Sequence, residues 1–139
     1  TGQYLQQAGL SEYVDLRHAP LVEYSGPDGK DYLYYDCGQI LARLRDQIAC
    51  KNPQLLVFVD GPPAATGPGA RYPALPVVRD VFGSGARLQL LLDDYIRKDE
   101  REIVAQWENL LNDQGAVFSR EEWTKMEKQA CLLKIKAQP

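Results

Sequence analysis

Three aspartates placed directly after two apolar segments of strand length are the side chains of this sequence best suited to chemistry. The apolar run 55–59 ends in Asp60, and the run 86–92 ends in Asp93 and Asp94. In open α/β sheets, ligands bind beyond the carboxyl ends of parallel strands. We therefore expect the three carboxylates to meet at one edge of a sheet, with Asp60 as the candidate catalytic residue.

The same aspartates also have structural explanations. Aspartate is a favoured helix N-cap, so each of them could simply begin the helix that follows it. Carboxylates held close together repel one another and need a cationic partner, which is either a metal ion or an arginine. Arg71 or Arg97 can serve as that partner, and the cluster is then an ion-paired structural feature.

His18, the single histidine of the chain, follows the predicted strand 13–17. An imidazole can take up or release a proton near neutral pH, so His18 is a second candidate catalytic residue. A histidine at the end of a strand can equally be structural.

Four tyrosines around a predicted hairpin either line a substrate or dimer surface or serve only as strand residues: Tyr24, Tyr32, Tyr34 and Tyr35.

The segments that must position these residues alternate between helix and strand patterns, which is typical of an α/β fold. We expect a mainly parallel sheet that ends in a C-terminal antiparallel strand pair, with a β-hairpin inserted at about residues 20–35. The predicted strands are 13–17, 55–59, 86–92, 116–118 and 131–136. We predict three helices: one that begins after a cap at Asp36, one over 74–82 and one from Ile96 to Leu111. The segment 121–128 is either helical or a turn.

The segment 61–73, which follows the first apolar run, is a long loop dense in glycine and proline. Loops of this length inside compact domains are usually functional. We expect it to form a mobile wall beside the substrate, and its candidate substrate-loop residues are Gly61, Pro62, Arg71 and Tyr72.

Length and composition exclude several classes of protein. A chain of 139 residues with 45% hydrophobic residues suits one domain with its own core. The net charge of -3 gives no basic field for nucleic acid. Cys37, Cys50 and Cys131 have no disulfide or zinc spacing, so we expect free thiols. With no spanning segment and no signal peptide in the sequence, we expect a cytoplasmic protein.

Three short motifs give the chain a resemblance to a known family. They are Val-Asp-Gly-Pro-Pro at 59–63, Arg-Tyr-Pro-Ala-Leu at 71–75 and Leu-Leu-Asp-Asp at 91–94. In order and spacing they resemble the C-terminal half of the class I S-adenosylmethionine-dependent methyltransferases. Glu102, Trp107 and the strand 132–136 continue the resemblance, which covers the chain from about Tyr13 onward.

The resemblance implies a partial Rossmann-like sheet in which residues 1–139 are the C-terminal portion of a methyltransferase domain. It implies S-adenosylmethionine as the cofactor and a hydroxyl of a small molecule or sugar as the methyl acceptor. In metal-dependent members, residues at the positions of Asp60, Asp93 and Asp94 hold Mg²⁺ against the substrate. Such a metal prefers hard oxygen ligands and lowers the pKa of a bound hydroxyl.

The chain departs from the family in one respect, since it contains no glycine-rich turn after a strand. The motifs 67–69 and 83–85 follow a loop and a helix, so no cofactor-binding residue can be named. Either the chain is a fragment of a longer protein with a cofactor-binding segment ahead of Thr1, or the domain has lost cofactor binding; in both cases we expect this chain alone to be inactive. The alternative is a non-catalytic remnant of the fold that acts as a binding or oligomerisation module, for example as a homodimer.

Overall fold

Eleven helical and strand segments make up the fold in a computed structural model that describes residues 1–48, 50 and 52–138. The helices are α1 (Gly2–Gln7), α2 (Gly38–Gln47), α3 (Ala74–Phe82) and α4 (Lys98–Asp113), with a single 3-10 turn at Ala64–Thr66. The strands are β1 (Leu21–Ser25), β2 (Asp31–Tyr35), β3 (Gln54–Val59), β4 (Arg87–Asp93), β5 (Phe118–Trp123) and β6 (Ala130–Ile135).

The strands form two separate sheets, and the fold is α/β as expected. The hairpin predicted near residues 20–35 is confirmed as the antiparallel pair β1 and β2. The other four strands lie in the order β3-β4-β6-β5. Among the described strands only β3 and β4 are parallel, whereas β6 runs antiparallel to both of its neighbours. The sheet is therefore mixed, and the expectation of a mainly parallel sheet is wrong for the described residues.

One face of the four-stranded sheet carries the hydrophobic core. Alternate residues of a strand point to the same face, and on β4 these are Leu88, Leu90 and Leu92, all fully buried. Residues of α3 and α4 belong to the same buried cluster, with Leu75 and Trp107 as their largest members. Both helices therefore pack against this face of the sheet.

The opposite face of the sheet is largely open, most of all at β3. Leu56 and Phe58 point to that face, and they are 69% and 60% exposed. Within the described residues, β3 pairs only with β4, so its outer edge is free. An unbroken apolar run such as 55–59 is typical of a strand that is buried on both faces, but one face of β3 is open in the part of the chain that the structure describes.

Three further expectations about local structure are wrong. Residues 13–17 form no strand and lie exposed ahead of the hairpin. The cap of α2 is Cys37 rather than Asp36, and it makes no side-chain cap hydrogen bond. Ile96 precedes α4 and is exposed, while Val104 joins the buried face of that helix.

The last two strands are present but extend differently from their sequence patterns. β5 begins at Phe118 and continues through the charged residues to Trp123, so only the remainder of 121–128 is a turn. Arg120 and Lys134 pair with glutamates of α4 and β5, which allows a charged strand to lie at the edge of the sheet.

None of the helices in the described residues is both long and apolar enough to cross a membrane.

The three cysteines are free thiols, as expected, and they differ in exposure. Cys50 is exposed, Cys37 is half-buried, and Cys131 lies buried in β6. Burial raises the pKa of the Cys131 thiol to about 12, and the nearby carboxylate of Glu122 adds to this shift. Cys131 is therefore a neutral thiol throughout the pH range in which a free cysteine ionises.

We expect a thiol reagent at pH 8 to modify Cys50 rapidly in the folded protein and to leave Cys131 unmodified until the protein unfolds. Because the folded state holds the Cys131 pKa above its ordinary value, it favours the protonated thiol, and this contribution to stability is lost as pH rises from 9 towards 12. Peptide mapping after timed labelling measures both rates. Equal labelling of Cys50 and Cys131 would show that β6 is not buried.

Candidate functional site

The three candidate carboxylates come together at the carboxyl ends of β3 and β4. Asp60 follows β3, Asp93 is the last residue of β4, and Asp94 comes next with a left-handed backbone (φ 58°). Each of the three offers an oxygen, and these oxygens all lie within 4.8 Å of one another. The parallel pairing of β3 and β4 causes this convergence, because it brings both carboxyl ends to one edge.

Arg71 from the loop 61–73 occupies the centre of this cluster. Its side chain is only 5% exposed, and Nη2 lies 3.1 Å from Asp94 Oδ2 and 3.4 Å from Asp60 Oδ1. The guanidinium also donates to two backbone carbonyls, through Nη1 to Asp93 O and through Nε to Pro62 O. A single buried cation therefore links the loop to the ends of both strands.

A fourth carboxylate, Glu100 in the first turn of α4, completes the buried part of the cluster. Its Oε1 lies 3.4 Å from Arg71 Nη1 and 3.4 Å from Arg97 Nη1. Arg97 also contacts Asp94 Oδ2 at 3.0 Å. The other oxygen of Glu100, Oε2, is buried without a hydrogen-bond partner. Asp94 and Glu100 are thus held between two arginines, which matches the ion-paired explanation of the cluster.

The opposite side of the cluster remains available to a ligand. Asp60 is 57% exposed, and Arg71, at 3.4 Å, is its only side-chain partner among the described residues. Among the described residues, the carboxylate of Asp93 takes part in no ion pair. Four carboxylates here face Arg71, Arg97 and the more distant Lys128. The remaining negative charge and the close oxygens of Asp60 and Asp93 fit a hard divalent cation such as Mg²⁺.

The second half of the loop 61–73 is anchored to α4, which corrects the expectation that the whole loop is a mobile wall. Gly69 N donates to both carboxylate oxygens of Asp99, at 3.1 and 3.0 Å. The indole Nε1 of Trp107 donates to Tyr72 O at 2.7 Å. Residues 70–73 are buried as a result.

Tyr72 is part of the core rather than of an open substrate surface. Its ring stacks on Tyr32 with centroids 5.1 Å apart. Burial, followed by the nearby Asp28, raises the pKa of Tyr72 to about 12, so its phenol stays neutral. Tyr32 donates to Asp28 Oδ2 at 2.6 Å, and Tyr34 is also buried.

The other predicted site residues are distributed around the cluster. Gly61 and Pro62 follow Asp60, and Tyr35 Oη lies against the space where Gly61 would carry a side chain. His18 lies exposed before β1, and within the described part of the chain it makes no side-chain contact with the acidic cluster. The helix-cap explanation of the aspartates is wrong, since α3 and α4 are capped by Pro73 and Arg97.

Sequence reasoning did not identify Glu100 and Asp99 as part of this region. Both lie in the first turn of α4, where acidic residues are common because they interact favourably with the helix dipole. Most such residues are exposed, and nothing in the local pattern distinguishes a buried one. The burial of Glu100 follows from its pairing with the buried Arg71, and that burial is visible only in the structure.

Comparison with known proteins returned no matching family model, no curated relative and no matching solved structure. The roles of the clustered residues therefore rest on their geometry.

We expect Arg71→Met to destabilise the protein by about 3–5 kcal/mol, because it leaves Asp94 and Glu100 buried without their shared cation. Arg97→Met is the matched control, and we expect a smaller loss because the Arg97 side chain is 45% exposed. Urea unfolding followed by circular dichroism gives both free energies. Equal losses for the two variants would contradict the central position of Arg71.

Proposed function

We propose that this chain is the C-terminal, acceptor-side portion of an S-adenosylmethionine-dependent methyltransferase that acts on a hydroxyl of a small molecule or sugar. The observation that carries the proposal is the arrangement of three strands. β3 and β4 are parallel neighbours that end in Asp60 and Asp93, and β6 lies antiparallel beside β4. This agrees with the fourth, fifth and final strands implied by the resemblance of the motifs to that family.

The open side of the sheet supports the same proposal. In the family's sheet, the first two strands separate the third from the fourth, so they belong beside the strand that corresponds to β3. The free edge of β3 and the exposed side chains of Leu56 and Phe58 offer a surface for such strands and their helices. The cofactor-binding half would then be provided by residues that are not part of this 139-residue chain.

The chemistry assigned to the acidic edge follows from its two available carboxylates. Asp60 and Asp93 would accept hydrogen bonds from an acceptor hydroxyl and orient its oxygen toward the methyl group. Mg²⁺ bound by the same residues would supply Lewis-acid activation of that hydroxyl. Arg71 would keep Asp60 in place through its 3.4 Å contact and would keep the charge of Asp94 balanced.

A second candidate function is a non-catalytic binding or oligomerisation module. The observation that favours it is the position of Arg71, which already contacts two of the three aspartates and so satisfies part of the cluster without a metal. A structural salt bridge would preserve the loop and the strand ends even after the loss of catalysis. Cofactor binding by the complete protein separates the two candidates.

We expect a version of the protein extended upstream of Thr1 to bind S-adenosylmethionine, and the 139-residue chain alone not to bind it. The physical reason is that the chain contains no glycine-rich turn after a strand to receive the cofactor. Calorimetric titration of both forms, with and without Mg²⁺, provides the measurement. Failure of both forms to bind would reject the methyltransferase proposal and favour the binding module.

The acidic edge is tested with Asp60→Asn and Asp93→Asn in the extended form. We expect each variant to lose methyl transfer while keeping S-adenosylmethionine binding, because the substitutions change the acceptor side only. Asp113→Asn, at the exposed end of α4, is the matched control and should leave both properties unchanged. Full transfer activity in both aspartate variants would exclude the acidic edge from catalysis.

A further inference from the structure

A second concave site lies on the outward face of the β-hairpin, and no residue of the acidic cluster is among the described residues that line it. Cross-strand pairing places Glu23 opposite Leu33 and Ser25 opposite Asp31, so the four side chains share one face. The segment 66–70 of the loop lies beside that face. Together they line an open cavity of about 540 Å³, which is within the usual size of small-molecule sites.

The loop wall of this cavity is fixed in position before any ligand binds. Gly69 is anchored by its two hydrogen bonds to Asp99, and Ala70 next to it is buried. Gly69 also has a left-handed backbone (φ 64°), and a Cβ there would lie 3.1 Å from the Tyr32 ring. The close packing of Gly69 on Tyr32 holds the wall against the hairpin, so little ordering cost remains for binding.

The side chains around the cavity define the chemistry of a ligand. Glu23 and Asp31 contribute carboxylates, and the hydroxyls of Ser25 and Thr66 lie with them. Ser25 Oγ already donates to Asp31 Oδ1 at 2.7 Å, so Ser25 has no proton left to donate to a ligand. The carboxylates of Glu23 and Asp31 keep oxygens that can accept hydrogen bonds from ligand hydroxyls, and the Thr66 hydroxyl can donate or accept. Leu33 adds an exposed apolar surface for the carbon face of a ring. Among the described residues that line the cavity, none is Lys, Arg or His, so an anionic group finds no partner.

The hairpin face connects this cavity with the acidic edge. Tyr35 follows Leu33 on the same face of β2, and its hydroxyl lies against Gly61, the residue after Asp60. A ligand seated on Glu23 and Leu33 therefore lies on the surface that leads toward Asp60.

We propose that this cavity binds a polyhydroxylated ring that is neutral or positively charged, such as a sugar or an amino sugar. Binding by the cavity follows from its own residues, whereas its assignment as the acceptor site of methyl transfer rests on the proposed function. The carboxylates of Glu23 and Asp31 select for hydroxyls and amines and against phosphate or carboxylate groups.

Three ligands that share one sugar ring test this proposal: protonated glucosamine, glucose and glucose 6-phosphate. The 139-residue chain is titrated with each, and the backbone amide shifts of Glu23, Ser25, Leu33 and Gly67 are followed by NMR. We expect saturable shifts at these residues with glucosamine. Glucose lacks the ammonium group, and we expect it to bind about fivefold more weakly, since one exposed ion pair is worth at most about 1 kcal/mol. Glucose 6-phosphate should bind more weakly than glucose, because its phosphate is repelled by the two carboxylates.

Matched variants assign the binding to the proposed residues. Glu23→Gln and Asp31→Asn keep the size of each side chain, and we expect both to remove the preference for glucosamine over glucose. Glu12→Gln, at an exposed position outside the cavity, removes the same charge and should leave the preference intact. Urea unfolding of each variant shows that the fold is kept.

The outcomes separate this inference from the proposed function. Absence of saturable shifts at the cavity residues with glucosamine and glucose, or tightest binding of glucose 6-phosphate, would overturn the inference. Sugar binding at the cavity by a protein that fails to bind S-adenosylmethionine in its extended form would keep the inference and reject the methyltransferase proposal. Binding of S-adenosylmethionine by the extended form, with no shifts at the cavity residues on addition of sugar, would keep the methyltransferase proposal and overturn the inference about the cavity.

Discussion

The buried guanidinium of Arg71 is the interaction on which the arrangement of this molecule depends. A buried charge is tolerated only when it is paired and hydrogen-bonded, and Arg71 meets this condition with three carboxylates and two backbone carbonyls. Those partners belong to the ends of β3 and β4, to the start of α4 and to the loop itself. Their positions are consequently fixed relative to one another, and the loop 61–73 cannot leave the strand ends without exposing unpaired charge.

This constraint divides the acidic cluster into two parts with different physical roles. Asp94 and Glu100 lie inside the protein between arginines, where they compensate buried positive charge. Asp60 is exposed and has only the 3.4 Å contact to Arg71 among the described residues, while the Asp93 carboxylate has no ion pair in that part of the chain. The buried salt bridge thus fixes the strand ends at which we propose that a ligand binds. Ion pairing accounts for Asp94 and Glu100, whereas binding is proposed for Asp60 and Asp93.

Sequence patterns predicted the helices and strands that are governed by local periodicity. They also predicted that the aspartates at the ends of two strands meet. The hairpin, α3, β3, β4 and the meeting of three aspartates all follow from apolar runs, turn residues and the parallel pairing rule. Burial could not be predicted in the same way, because an apolar run does not reveal which faces the rest of the chain covers. Leu56 and Phe58 are exposed for that reason, and the buried state of Glu100 depends on Arg71, which is distant in sequence.

The free edge of β3 also bears on how this chain behaves toward other copies of itself. The strand Gln-Leu-Leu-Val-Phe-Val contains six residues without a charge, a proline or a glycine. Natural edge strands usually carry lysine, proline or a bulge that prevents further pairing. Segments of this composition are the kind that stack into cross-β fibrils when they stay uncovered. A partner or segment that covered the free edge of β3 would therefore also protect the chain from self-association, and the uncovered strand is the place where aggregation would begin.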